Sequence, residues 1–305
     1  MTNLHSEHES GQSPSHTSDP VVANGDKTQG VLYVVATPIG NLDDVSDRMR
    51  HTLANVERIA AEDTRRTRSL LSHIGVNTPC FSLHEHNERQ KLDYIVQCLD
   101  KGESIALVSD AGTPLISDPG YPVVHELRKL GFRVVPVPGA CAFVAALSVS
   151  GLPSDRFYFE GFLPSKQGAR LKRLKELSTE SATQIFYESS HRIRACLEDI
   201  AVAMGAEREV VIARELTKTF ETVLGGSVNS LIEILDSDSN QSRGEFVVLI
   251  KGAERQKEVL SEESKNLAIK LSEHLPGKKA AKITAEVFGD KKNQIYQYLL
   301  EQNRD

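Results

Sequence analysis

Val31 to Ala36 reads VLYVVA, and Thr37-Pro38-Ile39-Gly40-Asn41 follows it directly. An unbroken apolar run rich in valine is the pattern of a strand buried on both faces, as in a parallel sheet. The Pro and Gly behind it end the strand in a turn. The same arrangement recurs twice. Ile105 to Val108 precedes Ser109-Asp110-Ala111-Gly112-Thr113-Pro114, and Phe132 to Val137 precedes Pro138-Gly139-Ala140-Cys141. Shorter strands are expected at Arg58 to Ala61 and Cys80 to Leu83. Helical spacing covers Asp44 to Val56, Tyr94 to Leu99, Tyr121 to Leu130 and Ala140 to Val149. Strands that alternate with helices imply an α/β domain with a mostly parallel sheet. Ligands of such sheets bind outside the carboxyl ends of the strands, where these three loops sit.

Beyond Gly151-Leu152-Pro153-Ser154, which reads as a linker, a second α/β stretch begins. Its expected strands are Phe157 to Glu160, Gln184 to Tyr187, Glu209 to Ala213, Thr219 to Leu224 and Phe246 to Ile250, with a polar hairpin-like turn at Asp236 to Arg243. From Glu254 onward the periodicity is helical. Lys278 to Val287 and Asn293 to Leu300 frame Phe288-Gly289-Asp290, the outline of a helix-turn-helix. Residues 1–30 are polar and read as a disordered tail. The expected organisation is therefore a tail (1–30), an N-terminal α/β domain (31–138), a second α/β domain (139–253) and a helical C-terminal domain (254–305).

The 305 residues suit about two domains of ordinary size. A formal net charge of -6 argues against a nonspecific polyanion binder, so any nucleic-acid contact must use local basic patches. Four cysteines without a CxxC pair fit a reduced, cytoplasmic protein, and no apolar run is long enough to span a bilayer. No GxGxxG follows the first strand, and GxxxxGK[ST], HExxH and GxSxG are absent, which disfavours Rossmann, P-loop, zincin and α/β-hydrolase chemistry. His84-Glu85-His86, read on a strand, would put both histidines on one face. Without a third ligand it is assigned no metal.

Charged clusters mark the remaining candidates. Glu188 to Arg192 and Arg214 to Lys218 leave the ends of expected strands in the second domain. They offer a base in Glu188 or His191 and a cation in Lys218 or Arg192; an ordinary ion-pair network is the competing reading. Three basic patches suit phosphate: Arg65, Arg66 and Arg68; Lys166 to Lys175 with Arg170; and the C-terminal Lys278 and Lys279. Each also reads as a solvated helix face.

Eight ordered blocks then carry a resemblance: LYVVATPIGNLDD, AEDTRRTRSLL, LHEHNE, VSDAGTPLISDPG, VPVPGACA, FYESSHRI, ARELTK and RGEFVVLIKG. From Val31 to the C-terminus the chain resembles the tetrapyrrole-methylase superfamily and, within it, the small-subunit rRNA methyltransferases. The resemblance implies two α/β domains with S-adenosylmethionine in the cleft between them, a homodimer, and 2'-O-methylation of a cytidine (position 1402 in standard rRNA numbering) in the decoding region of 16S rRNA. It further implies that Gly40, Asp110, Gly112, Thr113, Cys141 and Ala142 line the cofactor loops, with Tyr187, Ala213 and Gly244 near the adenosine. Cys141 stands where many relatives have Ser. Two other functions remain open on the residues: a methyltransferase of a tetrapyrrole or other small molecule, and a non-enzymatic ribosome-assembly factor.

Overall fold

The computed structural model describes residues 29–254 and 260–302. The expected tail lies outside these residues apart from its end. There Gly30 is already buried and its amide donates to the Leu99 carbonyl.

The elements follow in chain order. The first group is β1 (Leu32–Val35), α1 (Asp47–Asn55), β2 (Arg58–Ala61), α2 (Thr64–Ile74), β3 (Cys80–Ser82), α3 (Glu88–Asp100), β4 (Ile105–Val108), α4 (Tyr121–Lys129), β5 (Val134–Val137) and α5 (Ala142–Val149). Then come β6 (Phe157–Phe162), α6 (Gln167–Leu177), β7 (Thr183–Ser189), α7 (Ile193–Met204), β8 (Glu209–Arg214), β9 (Thr222–Ser227), α8 (Val228–Ser237) and β10 (Glu245–Ile250), and finally α9 (Glu262–Ser272), α10 (Gly277–Phe288) and α11 (Lys292–Gln302). The chain divides into two compact units. One holds residues up to Val149 with Ala213–Val223 and Gly244–Val247; the other holds Ser150–Ile212, Leu224–Arg243 and the residues from Val248 on.

The first sheet has the order β3-β2-β4-β1-β5, and its pairings are parallel. Alternate residues of its strands feed two cores. Val35, Ala106 and Val108 pack with Met49, Leu53, Leu71 and Ile74 of α1 and α2. Leu32, Ile105 and Leu107 pack with Ile95, Leu99, Val123 and Leu127 of α3 and α4. Both faces are thus covered, which is why these strands lack polar alternation. Side chains cap the first two helices. Ser46 accepts the Met49 amide ahead of α1, and Asp63 accepts the Arg65 amide ahead of α2. Register aligns Val34 with Leu107 on one side and Pro136 on the other, so β1, β4 and β5 end level.

The second sheet runs β6-β7-β10-β8-β9, with β6 parallel to β7. Here the structure corrects several expectations. The fourth strand begins at Thr222 rather than Thr219, and the expected polar hairpin is the end of α8 followed by a 3-10 turn, Ser239–Ser242. His84 and His86 lie in the turn between β3 and α3, not on a strand. Arg170, expected on an exposed basic stripe, is buried. Its Nε lies 2.6 Å from Asp199 Oδ2 of α7, and Gln167 Nε2 donates to the other carboxylate oxygen at 3.0 Å. It docks α6 on α7 and is not available to RNA.

The C-terminal segment is helical as expected: α10 and α11 are the expected pair, and α9 packs with them into a three-helix cluster. Ala280 and Ala281 let α10 approach its neighbours closely around Ala268, Ile295 and Leu299. Gly289 in the left-handed region ends α10.

Removing one partner of a buried ion pair strands the other charge, at a cost of about 3–5 kcal/mol. Arg170→Ala is therefore expected to lower unfolding stability by about that amount, read by denaturant unfolding. An unchanged midpoint would show that the pair does not hold the helices.

Candidate functional site

Three loops leave the level ends of β1, β4 and β5, and backbone bonds join them. The Thr37 amide donates to the Gly112 carbonyl at 2.8 Å and the Gly112 amide donates back to the Thr37 carbonyl at 3.1 Å. The Thr113 hydroxyl donates to the Ala140 carbonyl at 3.0 Å. Thr37 is buried beneath this junction. Gly112 has φ 84°, and a Cβ there would lie 3.3 Å from the Ile39 side chain, so a larger residue is both strained and crowded. Residues 109–113 and 138–142 carry no side chain larger than Asp or Pro. Gly40, Asp110, Gly112, Thr113, Cys141 and Ala142 thus fall on one small-residue floor.

Beside it sits an acidic group. The Asp110 carboxylate accepts the Asp63 amide at 3.0 Å and pairs with Arg66 at 3.3 Å, and the Asp110 amide donates to Glu62 at 3.1 Å. Arg65 grips Asp63 through two bonds, which hold that carboxyl well below its ordinary range. Burial pushes the Asp118 carboxyl up to about 6, against a Ser109 hydrogen bond and with help from Glu62 and Asp110. The same loop carries positive φ at Leu115 and Ser117. Among the described residues, non-glycine positive φ occurs only there and at Glu215 and Thr217. Strain of this kind concentrates at functional sites.

Lys218 lies in that second strained segment. A Cβ on Gly40 would come within 2.4 Å of Lys218 Cγ, so glycine makes room for the lysine stem across the first loop. The ammonium bonds Glu215 at 2.9 Å and Glu245 at 2.7 Å. Burial alone would lower its pKa; the two carboxylates outweigh burial and raise it. Lys218 is therefore a fixed cation near neutral pH. Glu215 in turn accepts the Glu245 amide at 2.9 Å, and its side chain fills the space a Cβ on Gly244 would need. Gly244 serves this clamp, and Ala213 is buried in β8 just ahead of it.

In the other unit, Glu188 is buried and pairs with Arg192 at 3.1 Å, while Arg192 also donates to the Leu163 carbonyl at 2.8 Å. His191 between them is exposed. Tyr187 makes edge contacts with Phe159 at 5.1 Å and Phe162 at 5.6 Å. Of the basic residues, Arg65 and Arg66 are exposed but carry the acidic partners named above. Arg68, Lys166, Lys278 and Lys279 are exposed. Sequence reading placed Glu215 in a candidate cluster without its partners, and it missed Glu245 and Asp118. Glu215 stood within a quoted block, yet its pairing with a residue 30 positions away has no local signature.

The family model of the tetrapyrrole (corrin/porphyrin) methylases matches residues 31–232, and that of the RsmI C-terminal HTH domain matches residues 258–303. The chain is 53% identical over 274 residues to the ribosomal RNA small subunit methyltransferase I of Pasteurella multocida, covering 89% of this chain and 97% of the relative. It is 50% identical over 279 residues to the protein of that name from Escherichia coli O157:H7, covering 92% and 98%. Two solved structures share the fold: a cobalt precorrin-4 methyltransferase (TM-score 0.55, 14% identity, 72% of this chain and 94% of that one) and a diphthine synthase (TM-score 0.54, 14% identity, 72% and 89%).

The Asp118 carboxyl gives a pH test. A folded-state pKa raised above the unfolded value favours the native state below about pH 4, and this advantage is lost as pH rises through about 6. Asp118→Asn is expected to match the original chain in thermal midpoint near pH 4 and exceed it above pH 6. A variant that is less stable at pH 7 would contradict the burial argument.

Proposed function

This chain belongs to the tetrapyrrole (corrin/porphyrin) methylase family, and we propose that it transfers the methyl group of S-adenosylmethionine to 16S rRNA. The acceptor in this reading is the ribose 2'-hydroxyl of a cytidine in the decoding region (position 1402), presented by the small ribosomal subunit to a homodimer. The observation that carries the reading is the joined floor at the ends of β1, β4 and β5 with Lys218 laid across its first turn. The near-full-length identity to small-subunit rRNA methyltransferases supports the substrate class.

The floor fits the cofactor. Small side chains and close-set backbone leave room for the methionine part, and the Asp110 carboxylate stands at its edge. When bound, the sulfonium supplies an activated methyl group, so the protein's task is chiefly positioning. Gly40, Gly112, Thr113, Cys141 and Ala142 form the bed, with Tyr187, Ala213 and Gly244 assigned to the adenosine. A ribose hydroxyl attacks well only once its proton is lost, and a fixed cation stabilises the developing alkoxide. Lys218 fills that role because Glu215 and Glu245 hold it charged and in place. In the other unit, Glu188 or His191 is the candidate base and Arg192, paired with Glu188, the candidate phosphate-holding cation. Arg65, Arg66, Arg68, Lys166, Lys278 and Lys279 hold the RNA backbone.

The direct test is transfer of label from S-adenosylmethionine to small subunits lacking this modification, with the product mapped by mass spectrometry. A 2'-O-methylcytidine in the decoding region is expected. Cofactor binding without transfer to subunits would instead favour a small-molecule acceptor. Lys218→Met keeps the stem over Gly40 but removes the charge. It is expected to lower kcat on the order of a hundredfold with little change in cofactor affinity. An unchanged kcat would remove Lys218 from the chemistry.

A further inference from the structure

The loop after β4 ends at Gly120, whose amide is held by the buried Glu88 carboxylate at the start of α3. This bond ties the starts of α3 and α4 together at the carboxyl edge of the sheet, the edge on which the three joined loops lie. Between the two helix starts is a cavity of about 530 Å³. Leu92 and Val123 line it with apolar surface, and Tyr121, His125, Arg89 and Glu126 complete it. Tyr121 is the first residue of α4 and is 65% exposed, a large aromatic area to leave in water. The His125 ring, one turn on, stacks against it at 5.6 Å and 30°. Arg89 is exposed and makes no ion pair among the described residues. The Glu126 carboxylate faces His125 at 3.8 Å and Lys129 at 3.4 Å.

We propose that this cavity receives an unpaired nucleobase of the RNA substrate, stacked on the Tyr121–His125 pair. The inference rests on the function proposed above. The chemistry selects a base over a phosphate: Arg89 and Lys129 are matched by the Glu88 and Glu126 carboxylates, so the cavity has no surplus positive charge for an anion, whereas a planar ring finds an aromatic face. Arg89 donates to base carbonyl or ring-nitrogen acceptors, and Glu126 accepts from an exocyclic amine. Splayed-out bases of single-stranded RNA are recognised by such stacking, and the π-face makes it tolerant of sequence. The Gly120 bond to Glu88 fixes the backbone at the start of α4 and the His125 stack supports the Tyr121 ring, which reduces the ordering needed on binding.

The test is filter binding of the full chain to unmethylated small ribosomal subunits across a range of salt, for the original chain, Tyr121→Ala, Tyr121→Leu and Tyr121→Phe. Tyr121→Ala and Tyr121→Leu are expected to weaken binding roughly five- to a hundredfold. Their salt dependence should be unchanged, because no charge is lost, and Tyr121→Phe should bind as the original does. Tyr121→Leu keeps the bulk and guards against a folding defect. Ultraviolet cross-linking of the complex should leave a nucleotide on Tyr121 or His125. Normal binding by both Tyr121→Ala and Tyr121→Leu, in a chain that does methylate subunits, would overturn the base site alone. An adduct to a ribosomal protein at these residues would overturn it too. A chain that transferred no methyl group to subunits would overturn the function beneath it.

Discussion

The paired backbone bonds between Thr37 and Gly112 are the constraint on which the site depends. They fasten the loop after β1 to the loop after β4, and the Thr113 hydroxyl extends the connection to the loop after β5. These bonds make the three turns one surface. Its rigidity comes from neighbouring parallel strands that end at the same level, so the sheet does the positioning and the loops supply the chemistry. Glycine at 112 is a condition of the junction, since a side chain there would meet Ile39 in a backbone conformation it disfavours.

The first unit builds its charges on the same plan. Lys218 is aimed by two carboxylates, and one of these, Glu215, adopts a left-handed backbone that most residues avoid. That segment and the Leu115–Ser117 turn hold all the non-glycine positive φ angles among the described residues. Both belong to the unit that carries the joined loops. The strain is stored where orientation matters, and the surrounding hydrogen bonds over-determine it. Basic residues elsewhere divide by environment. Arg170 is spent on a helix–helix dock and Arg173 pairs with Glu160 of β6, while Lys166 stays in water.

What was legible in the sequence followed from periodicity and turn chemistry. VLYVVA followed by Pro and Gly has few readings other than a buried parallel strand with a loop at its end, and β1, β4 and β5 appear where that pattern recurs. The small-residue character of the loops was visible for the same reason. Long-range partners were not. Arg170 sits among lysines at helical spacing, and only Asp199, on another helix, makes it a core residue. His84 and His86 read as a strand pair because Cys80 to Leu83 is apolar, but β3 stops at Ser82 and Asn87 accepts the His84 amide to begin a turn. The Lys218 cation was named from the sequence, yet the carboxylates that fix it come from its own turn and from β10. Tertiary pairing of charges leaves no periodic trace, so it escapes a reading based on local pattern.

In the proposed function, one joined floor at the carboxyl edge of the first sheet holds the cofactor. Amide hydrogen exchange of the full chain, with and without S-adenosylmethionine, tests it most directly. Added protection is expected in residues 38–41, 110–113 and 139–142 together, because the three loops act as one surface. Protection confined to other parts of the chain, with these three stretches exchanging as before, would contradict it.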